Sequence, residues 1–243
     1  ADPATAAPAD PATTGEATAV GVDPAGWPRF QLPSGATAVS GPGVFAAGKL
    51  DVGTRLLLEH LATRLPSPDV RTAIDLGCGN GAVGVSILAQ NPEVDVTFID
   101  ESALAVRSAQ ESVRASDDDT ATFGRRSTFL LGDGLDLVLD PGAATPGPVD
   151  PGPVEPGQVE LGQIELRDVD LVVINPPFHE DHAVGDEIAW RMFHGAHRVL
   201  RPGGEVIVVG NRHLGYHTKL KRIFGAVTVA AANPKFVVLS THR

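Results

Sequence analysis

The sequence has 243 residues, 42% hydrophobic, 20% charged and 5% aromatic, a composition typical of one globular domain with some poorly packed sequence. A single cysteine, Cys78, excludes a disulfide framework and a cysteine-based zinc cluster, and the chain lacks both an 18-residue apolar run and a signal-peptide pattern, so we expect a soluble, cytoplasmic protein. The formal net charge of −11 argues against a polyanion partner for the chain as a whole, but residues 190–243 carry nine basic side chains against one acidic side chain.

Two low-complexity segments precede or interrupt the predicted domain, which covers residues 27–243. Residues 1–26 consist largely of Ala, Pro, Thr and Asp and are predicted to form a disordered tail or linker. Residues at about 141–168 contain four five-residue units that begin with Pro-Gly or Leu-Gly. Because proline removes backbone donors and glycine costs entropy, this segment is predicted to be an extended, solvated insertion.

Between these segments, short apolar runs rich in β-branched residues alternate with helical patterns, as in a parallel sheet covered by helices. The predicted strands cover residues 71–76, 95–99, 127–131, 170–174, 205–209, 227–231 and 236–239. The predicted helices cover residues 52–64, 82–90, 103–115, 187–200 and 216–224. A tight turn at Asn233-Pro234-Lys235 predicts antiparallel pairing of the last two strands. The pattern predicts an α/β fold with a seven-stranded, mostly parallel sheet and an antiparallel C-terminal hairpin, the architecture of Rossmann-like class I methyltransferases.

A glycine-rich turn, Asp75-Leu-Gly-Cys-Gly-Asn-Gly81, follows the first predicted strand. Glycines let the backbone turn sharply and approach a ligand, and the next helix start offers unpaired amides. A second apolar strand ends in Asp100, where a carboxylate accepts ribose hydroxyls. The third glycine of the dinucleotide fingerprint is missing, and the pattern resembles the first motif of class I methyltransferases that use S-adenosylmethionine. A purely structural turn is the alternative interpretation.

The tetrapeptide Asn175-Pro-Pro-Phe178 follows the fourth predicted strand. Two prolines hold the backbone extended and remove two donors, so the Asn175 side chain and the Pro176 carbonyl can both present acceptors to a planar amine. Phe178 offers a flat surface for stacking. The tetrapeptide resembles the Asn/Asp-Pro-Pro-aromatic motif of amino methyltransferases, which act on adenine N6, guanine N2, cytosine N4 or a glutamine side-chain nitrogen. A strand terminator with a core phenylalanine is the alternative.

The flanking segments resemble the catalytic half of ribosomal RNA guanine-N2 methyltransferases, from about Phe30 to the C-terminus. The segments that carry the resemblance are residues 43–54, 75–81, 98–102, 175–179, 189–193, 211–214 and 235–239. Asn-Arg-His-Leu at 211–214 and Lys-Phe-Val-Val-Leu at 235–239 are most similar to the enzymes of the large subunit, which act on 23S RNA. The insertion at about 141–168 is not part of the family pattern.

The resemblance implies S-adenosylmethionine as cofactor, and ribosomal RNA or a ribosomal subunit as partner, without a metal or a membrane. It implies cofactor binding by Phe45, Thr54, Asp75, Gly77, Cys78, Gly79, Asn80, Asp100, Glu101, Asp133, Gly134 and Asn175. It also implies that Asn175, Pro176, Pro177 and Phe178 hold the target guanine as the catalytic set. Asp133 fits a simple turn acid equally well, because Gly-Asp-Gly is a common turn composition.

Four further segments allow two interpretations each. Residues 44–54 either close over the methionine end of the cofactor or form a hydrophobic lid with Asp51 as an N-cap. His179-Glu-Asp-His182 contains metal-ligand residue types, but the spacing matches no standard site, and we expect it to line the substrate entrance. Trp190 and Phe193 are expected in the core rather than as a stacking platform. The basic side chains at 212–222 face either solvent or RNA phosphates.

Two other functions are compatible with parts of the pattern. A glutamine-N5 methyltransferase of release factors shares the Asn-Pro-Pro-aromatic motif and the fold, but its substrate is a protein, and the basic C-terminal segment argues against it. A non-catalytic module that binds S-adenosylmethionine and RNA would not need the intact acceptors at 175–178. The sequence therefore predicts an S-adenosylmethionine-dependent ribosomal RNA guanine-N2 methyltransferase.

Overall fold

A seven-stranded β-sheet forms the centre of the computed structural model, which describes residues 24–44, 48–117, 122–132, 135, 166–176 and 182–243. Its strands are β3 (Thr72–Leu76), β4 (Asp95–Asp100), β5 (Ser127–Leu131), β6 (Val169–Ile174), β7 (Leu200–Asn211), β8 (Thr228–Ala232) and β9 (Phe236–His242). Within these ranges the order across the sheet is β5-β4-β3-β6-β7-β9-β8. The first five strands in this order run parallel, and β9 pairs antiparallel with β7 and β8. The predicted sheet is therefore confirmed.

Helices cover both faces of this sheet. They are α1 (Val52–Arg64), α2 (Ala82–Gln90), α3 (Ala103–Ser116), α4 (Thr122–Arg125), α5 (His182–Val199) and α6 (Tyr216–Phe224). Along β6, Leu171 and Val173 pack into the core formed with α1, α2 and α3, whereas Val172 and Ile174 pack with α5 and α6. A strand that is buried on both faces needs a continuous apolar run, and the sequence of β6 provides it. No helix in the described ranges is both long and apolar enough to cross a membrane.

Several predicted boundaries differ from the structure, and two of them differ by five residues. Helix α5 begins at His182 rather than at residue 187, and strand β7 begins at Leu200 rather than at residue 205. Residues 202–204 are Pro-Gly-Gly, which is typical of a turn. The C-terminal residue nevertheless pairs with them, since Gly203 N–H donates to the Arg243 carbonyl at 2.8 Å and Arg243 N–H donates to the Gly204 carbonyl at 3.0 Å. This pairing joins distant parts of the chain and is invisible in the local sequence.

Most of the two low-complexity segments lies outside the described residues. Of the predicted tail, only residues 24–26 are described, and they form a short 3-10 turn that leads into the buried Trp27. The domain boundaries at 26 and at about 141–168 remain predictions. In the core, Phe193 is buried as predicted, whereas Trp190 is only half-buried and contacts the His194 ring edge-on at 4.9 Å.

A short hairpin that the sequence did not predict lies against α3. It consists of β1 (Arg29–Gln31) and β2 (Thr37–Val39), which pair antiparallel. The chain from Thr37 to Gly41 donates three alternate backbone N–H groups to serine hydroxyls on α3: Thr37 to Ser116 at 2.8 Å, Val39 to Ser112 at 2.7 Å and Gly41 to Ser108 at 2.9 Å. Serines four residues apart share one helix face, so α3 takes the place of a neighbouring strand for these donors.

The central serine of this face connects β2 to the glycine-rich turn. The buried Ser112 hydroxyl accepts from Val39 N–H and donates to the Asn80 carbonyl at 2.6 Å. Ser112→Ala leaves both buried backbone groups without this partner, so we expect the free energy of unfolding to fall by about 1–3 kcal/mol. Urea denaturation followed by circular dichroism measures this change.

Ser116→Ala is the matched control for this prediction. Ser116 bonds the same strand but is half-buried, so water can replace its hydroxyl, and the expected loss is below about 1 kcal/mol. Equal losses in the two variants would contradict the role assigned to Ser112.

Candidate active site

A cavity of about 460 Å³ lies where β3, β4 and β6 end. It is lined by residues at these strand ends, by the start of α1 with the segment before it, and by α5. The residues that line it are Phe30, Gly43, Val44, Lys49, Leu50, Asp51, Thr54, Asp75, Leu76, Gly77, Cys78, Gly79, Asn80, Ala82, Val83, Ile99, Asp100, Glu101, Ser102, Ala105, Gly132, Asn175, Pro176, Ile188 and Met192. The carboxyl edge of a parallel sheet is the usual place for a ligand in open α/β folds.

The glycine-rich turn is fixed to the neighbouring strand by its backbone. The N–H groups of Gly77 and Cys78 both donate to the Ile99 carbonyl, at 2.8 and 2.9 Å. Gly79 has a positive φ of 53°, and no heavy atom lies within 4 Å of the place that a Cβ would take. Position 79 therefore combines a backbone conformation that favours glycine with open space at the cavity wall, as expected where a ligand approaches the chain closely.

A glycine inside α2, whose role the sequence did not reveal, sets the distance between this helix and the sheet. A Cβ at Gly84 would lie 2.1 Å from Cε1 of Phe98, so only glycine fits at this position. Phe98 in turn stacks on Phe129, with ring centroids 5.0 Å apart. A glycine that interrupts an otherwise apolar helix is the one signal that could have indicated such close packing.

Asp100 lies at the end of β4 with its carboxylate at the cavity. Its Oδ2 accepts from Gly79 N–H at 2.9 Å and its Oδ1 accepts from Ser102 N–H at 2.9 Å. These two bonds fix the carboxylate and leave further lone pairs for a ligand. Glu101 is exposed at the rim of the same cavity.

Asn80 and Cys78 both line the cavity, but their side chains are buried in the turn. Asn80 Nδ2 donates to Ser40 Oγ at 3.0 Å, and its Oδ1 accepts from Ala82 N–H at the start of α2. Burial raises the pKa of the Cys78 thiol well above its usual range, so the sulfur stays protonated and is a poor nucleophile. Both side chains shape the turn in which they lie.

Asn175 follows β6 and contacts α1 directly, and both residues of this contact line the cavity. Its Nδ2 donates to Thr54 Oγ1 at 2.9 Å, and the Thr54 hydroxyl donates to Asp51 Oδ2. Among the described residues, the Asn175 Oδ1 atom is buried and has no hydrogen-bond partner. Asp51 is also the N-cap of α1, because its side chain accepts from Gly53 N–H at 2.8 Å. The N-cap role that the alternative interpretation of residues 44–54 gave to Asp51 is therefore observed, and the same residue also lines the cavity.

Five of the predicted site residues lie outside the described residues: Phe45, Asp133, Gly134, Pro177 and Phe178. Residues 179–181, which belong to the segment with metal-ligand residue types, also lie outside the described residues. Within the described ranges, no group of side chains could hold a metal ion. The structure brings together the other predicted residues: Thr54, Asp75, Gly77, Cys78, Gly79, Asn80, Asp100, Glu101, Asn175 and Pro176. It adds Ile188 and Met192 of α5, which lie four residues apart on one helix face.

These features are those of a Rossmann-like methyltransferase domain, and a comparison with known families agrees. The model of the family described as "Methyltransferase small domain" matches residues 35–135 and 159–240. The chain belongs to this family.

Two individual proteins are more closely similar to this chain. The ribosomal RNA large subunit methyltransferase G of Streptomyces avermitilis is 46% identical over 224 residues, which cover 89% of this chain and 50% of that protein. The structure of the Thermus thermophilus 16S rRNA N2 G1207 methyltransferase (RsmC) in complex with AdoMet and guanosine superposes with a TM-score of 0.65 at 28% identity, covering 89% of this chain and 50% of that one. This chain therefore spans about half the length of each of these two relatives.

A more distant structure shares the fold alone. The precorrin-6y C5,15-methyltransferase of Geobacter metallireducens superposes with a TM-score of 0.53 at 11% identity, covering 85% of this chain and 94% of that one.

Asp75 carries a buried carboxyl group at the site, and its burial makes the stability of the fold depend on pH. It is 2% exposed, and its Oδ2 accepts from Gly84 N–H at 2.8 Å. Burial raises the pKa of Asp75 from 3.8 to about 8, with the Gly84 N–H opposing the shift and the charge of Asp100 adding to it. Between about pH 4 and pH 8 the folded chain therefore holds a proton that the unfolded chain lacks, so stability falls as the pH rises.

Asp75→Asn removes this titration and keeps an oxygen that can accept from Gly84 N–H. We expect the free energy of unfolding of the unsubstituted protein to fall by about 2 kcal/mol more than that of the variant between pH 6.5 and pH 8. Urea denaturation at both pH values measures the difference. Parallel pH profiles for the two proteins would show that Asp75 does not retain a proton in the folded state.

Proposed function

We propose that this chain transfers a methyl group from S-adenosylmethionine to the exocyclic N2 amine of a guanine in ribosomal RNA, and that this RNA is the 23S RNA of the large subunit. The observation that carries the proposal is at Asn175, a residue that lines the cavity and whose buried amide oxygen has no hydrogen-bond partner among the described residues. An exocyclic amine is the kind of group that supplies the missing donor. The name of the 46% identical relative and the guanosine bound to the 28% identical structure support this choice of substrate.

The cavity residues fit S-adenosylmethionine. The Asp100 carboxylate is fixed by two backbone donors and has lone pairs for the ribose hydroxyls. Gly79 leaves open space beside its backbone, and the side chains of Val83, Ile99 and Ala105 offer apolar surface for the adenine. When bound, the cofactor supplies an electrophilic methyl group on a positively charged sulfonium.

The acceptors at 175 and 176 suit a weakly nucleophilic amine. The lone pair of an exocyclic amine is delocalised into the base, and two acceptors outside the ring plane favour a pyramidal nitrogen. We expect the Asn175 amide oxygen and the Pro176 carbonyl to serve as these acceptors, and both become stronger partners as positive charge moves to the nitrogen. Positioning and electrostatics then account for most of the catalysis, without a strong general base.

A basic surface beside the cavity supports RNA as the substrate. From Val206 to Arg243 the chain contains no acidic residue. Two exposed cations of this stretch, Arg212 and Lys235, lie together near the end of β7, because Arg212 N–H donates to the Lys235 carbonyl at 3.0 Å. Arg212 directly follows β7, the parallel neighbour of β6, so it lies at the same sheet edge as Asn175. Cations at this edge suit phosphates that flank a base in the cavity, and a base in this cavity has to be unpaired or flipped out.

Methyl transfer to ribosomal RNA from cells that lack this protein tests the proposal. We expect radiolabel from S-adenosylmethionine in N2-methylguanosine after nuclease digestion, and a loss of about 100-fold or more in Asn175→Ala, which removes an acceptor for the amine. Gln31→Ala is the matched control, because Gln31 carries an exposed amide and, unlike its neighbour Phe30, does not line the cavity. Label in the glutamine of an added release factor, or cofactor binding without transfer to any RNA, would contradict the proposal.

A further inference from the structure

We propose that Thr54 and Asp51 are positioning residues that orient the Asn175 amide, so that its oxygen and not its NH2 group faces the substrate amine. The inference rests on the proposed function, because it concerns how the same site selects an amine. The family resemblance implied that Thr54 binds the cofactor, and the motif at 175–178 gave no indication that Asn175 contacts α1. The structure instead connects Asp51, Thr54 and Asn175 in one chain of hydrogen bonds.

The Thr54 hydroxyl determines which end of the amide can face it. A hydroxyl has a single proton to donate, and Thr54 donates it to Asp51 Oδ2. Only lone pairs of Thr54 Oγ1 then remain for Asn175, so only the NH2 end of the amide can bond there, as observed at 2.9 Å. A flipped amide would place two acceptors against each other and lose this bond.

The position of Asp51 is fixed independently of Asn175. Its carboxylate caps α1 by accepting from Gly53 N–H at 2.8 Å and from Thr54 N–H at 3.3 Å. The start of α1 is in turn seated on β9, because a Cβ at Gly53 would lie 3.0 Å from the Phe236 ring. The acceptor at the far end of the hydrogen-bond chain is therefore held by the fold.

Burial of Thr54 makes a flipped Asn175 amide energetically costly. Thr54 is only 6% exposed, so water cannot readily replace a lost partner for the Asn175 NH2 group. The opposite end of the amide, Oδ1, is the buried atom without a partner among the described residues. Thr54 and Asp51 thus fix Oδ1 as an acceptor, which suits a substrate NH2 group and disfavours a carbonyl or ring nitrogen at the same place.

A double-mutant cycle distinguishes orientation from simple support of the fold. Thr54→Val keeps the shape but removes the hydroxyl, and we expect kcat to fall about 10-fold to 100-fold, with the KM for S-adenosylmethionine within about twofold of the original value. Thr54→Ser keeps the hydroxyl and should stay within a few-fold. In an Asn175→Asp background both oxygens are acceptors, so Thr54→Val should cost less than about threefold. Thr63→Val, at an exposed position of the same helix, is the matched control.

A nuclear magnetic resonance experiment tests the orientation without turnover. The chain has five asparagines, so 15N-asparagine labelling gives a small set of side-chain amide signals, and Asn175→Asp identifies the pair from Asn175. We expect one proton of this pair to be shifted downfield by the bond to Thr54, and we expect Thr54→Val, but not Thr63→Val, to remove that shift.

The two proposals fail in different ways. A methylated product other than N2-methylguanosine from the unsubstituted protein would overturn the proposed function. Unchanged Asn175 amide signals in Thr54→Val would overturn the orientation by Thr54 and Asp51. So would a loss of kcat from Thr54→Val that is equally large with the original Asn175 and in the Asn175→Asp background.

Discussion

Burial of the central strands on both faces is the constraint that places the site. β3, β4 and β6 lie between helices on either side, so a polar side chain in the middle of these strands would lose water without gaining a partner. The polar side chains of the site accordingly stand close to strand ends: Asp75 is the last residue but one of β3, Asp100 ends β4, and Asn175 directly follows β6. Parallel strands end at one edge, so residues distant in the sequence meet around a single cavity.

Close packing on one side of the sheet fixes the shape of that cavity. Gly84 brings α2 against Phe98, and Gly77 and Cys78 fix the glycine-rich turn to β4. Thr54 at the start of α1 reaches the end of β6 through Asn175. The glycine-rich turn, the start of α1 and Asn175 are thus held in place by packing on the same side of the sheet, and a displacement of about 1 Å in any of them is enough to impair a transfer reaction.

Sequence patterns that depend on local order predicted much of this arrangement. The glycine-rich turn, Asp100 and Asn175 each follow an apolar run, so their position at a strand end could be inferred from neighbouring residues alone. The Thr54–Asn175 bond joins residues 121 positions apart and depends on where α1 packs, so no local pattern reveals it. The same reason hid the role of Gly84, which only the facing Phe98 ring explains. It also hid the three serines of α3, whose partners lie in the three-residue strand β2 or just after it.

The central claim is that the Asn175 amide oxygen accepts a hydrogen bond from the guanine amine. Its most direct test is a crystal structure of the chain with S-adenosylhomocysteine and guanosine, in which the distance between Asn175 Oδ1 and guanine N2 is measured. We predict a hydrogen bond of about 3 Å between these atoms, with Asn175 Nδ2 still bound to Thr54 and the ribose of the cofactor product on Asp100. A guanine whose N2 lies away from Asn175, or a cofactor product bound outside the cavity at the ends of β3, β4 and β6, would contradict the claim.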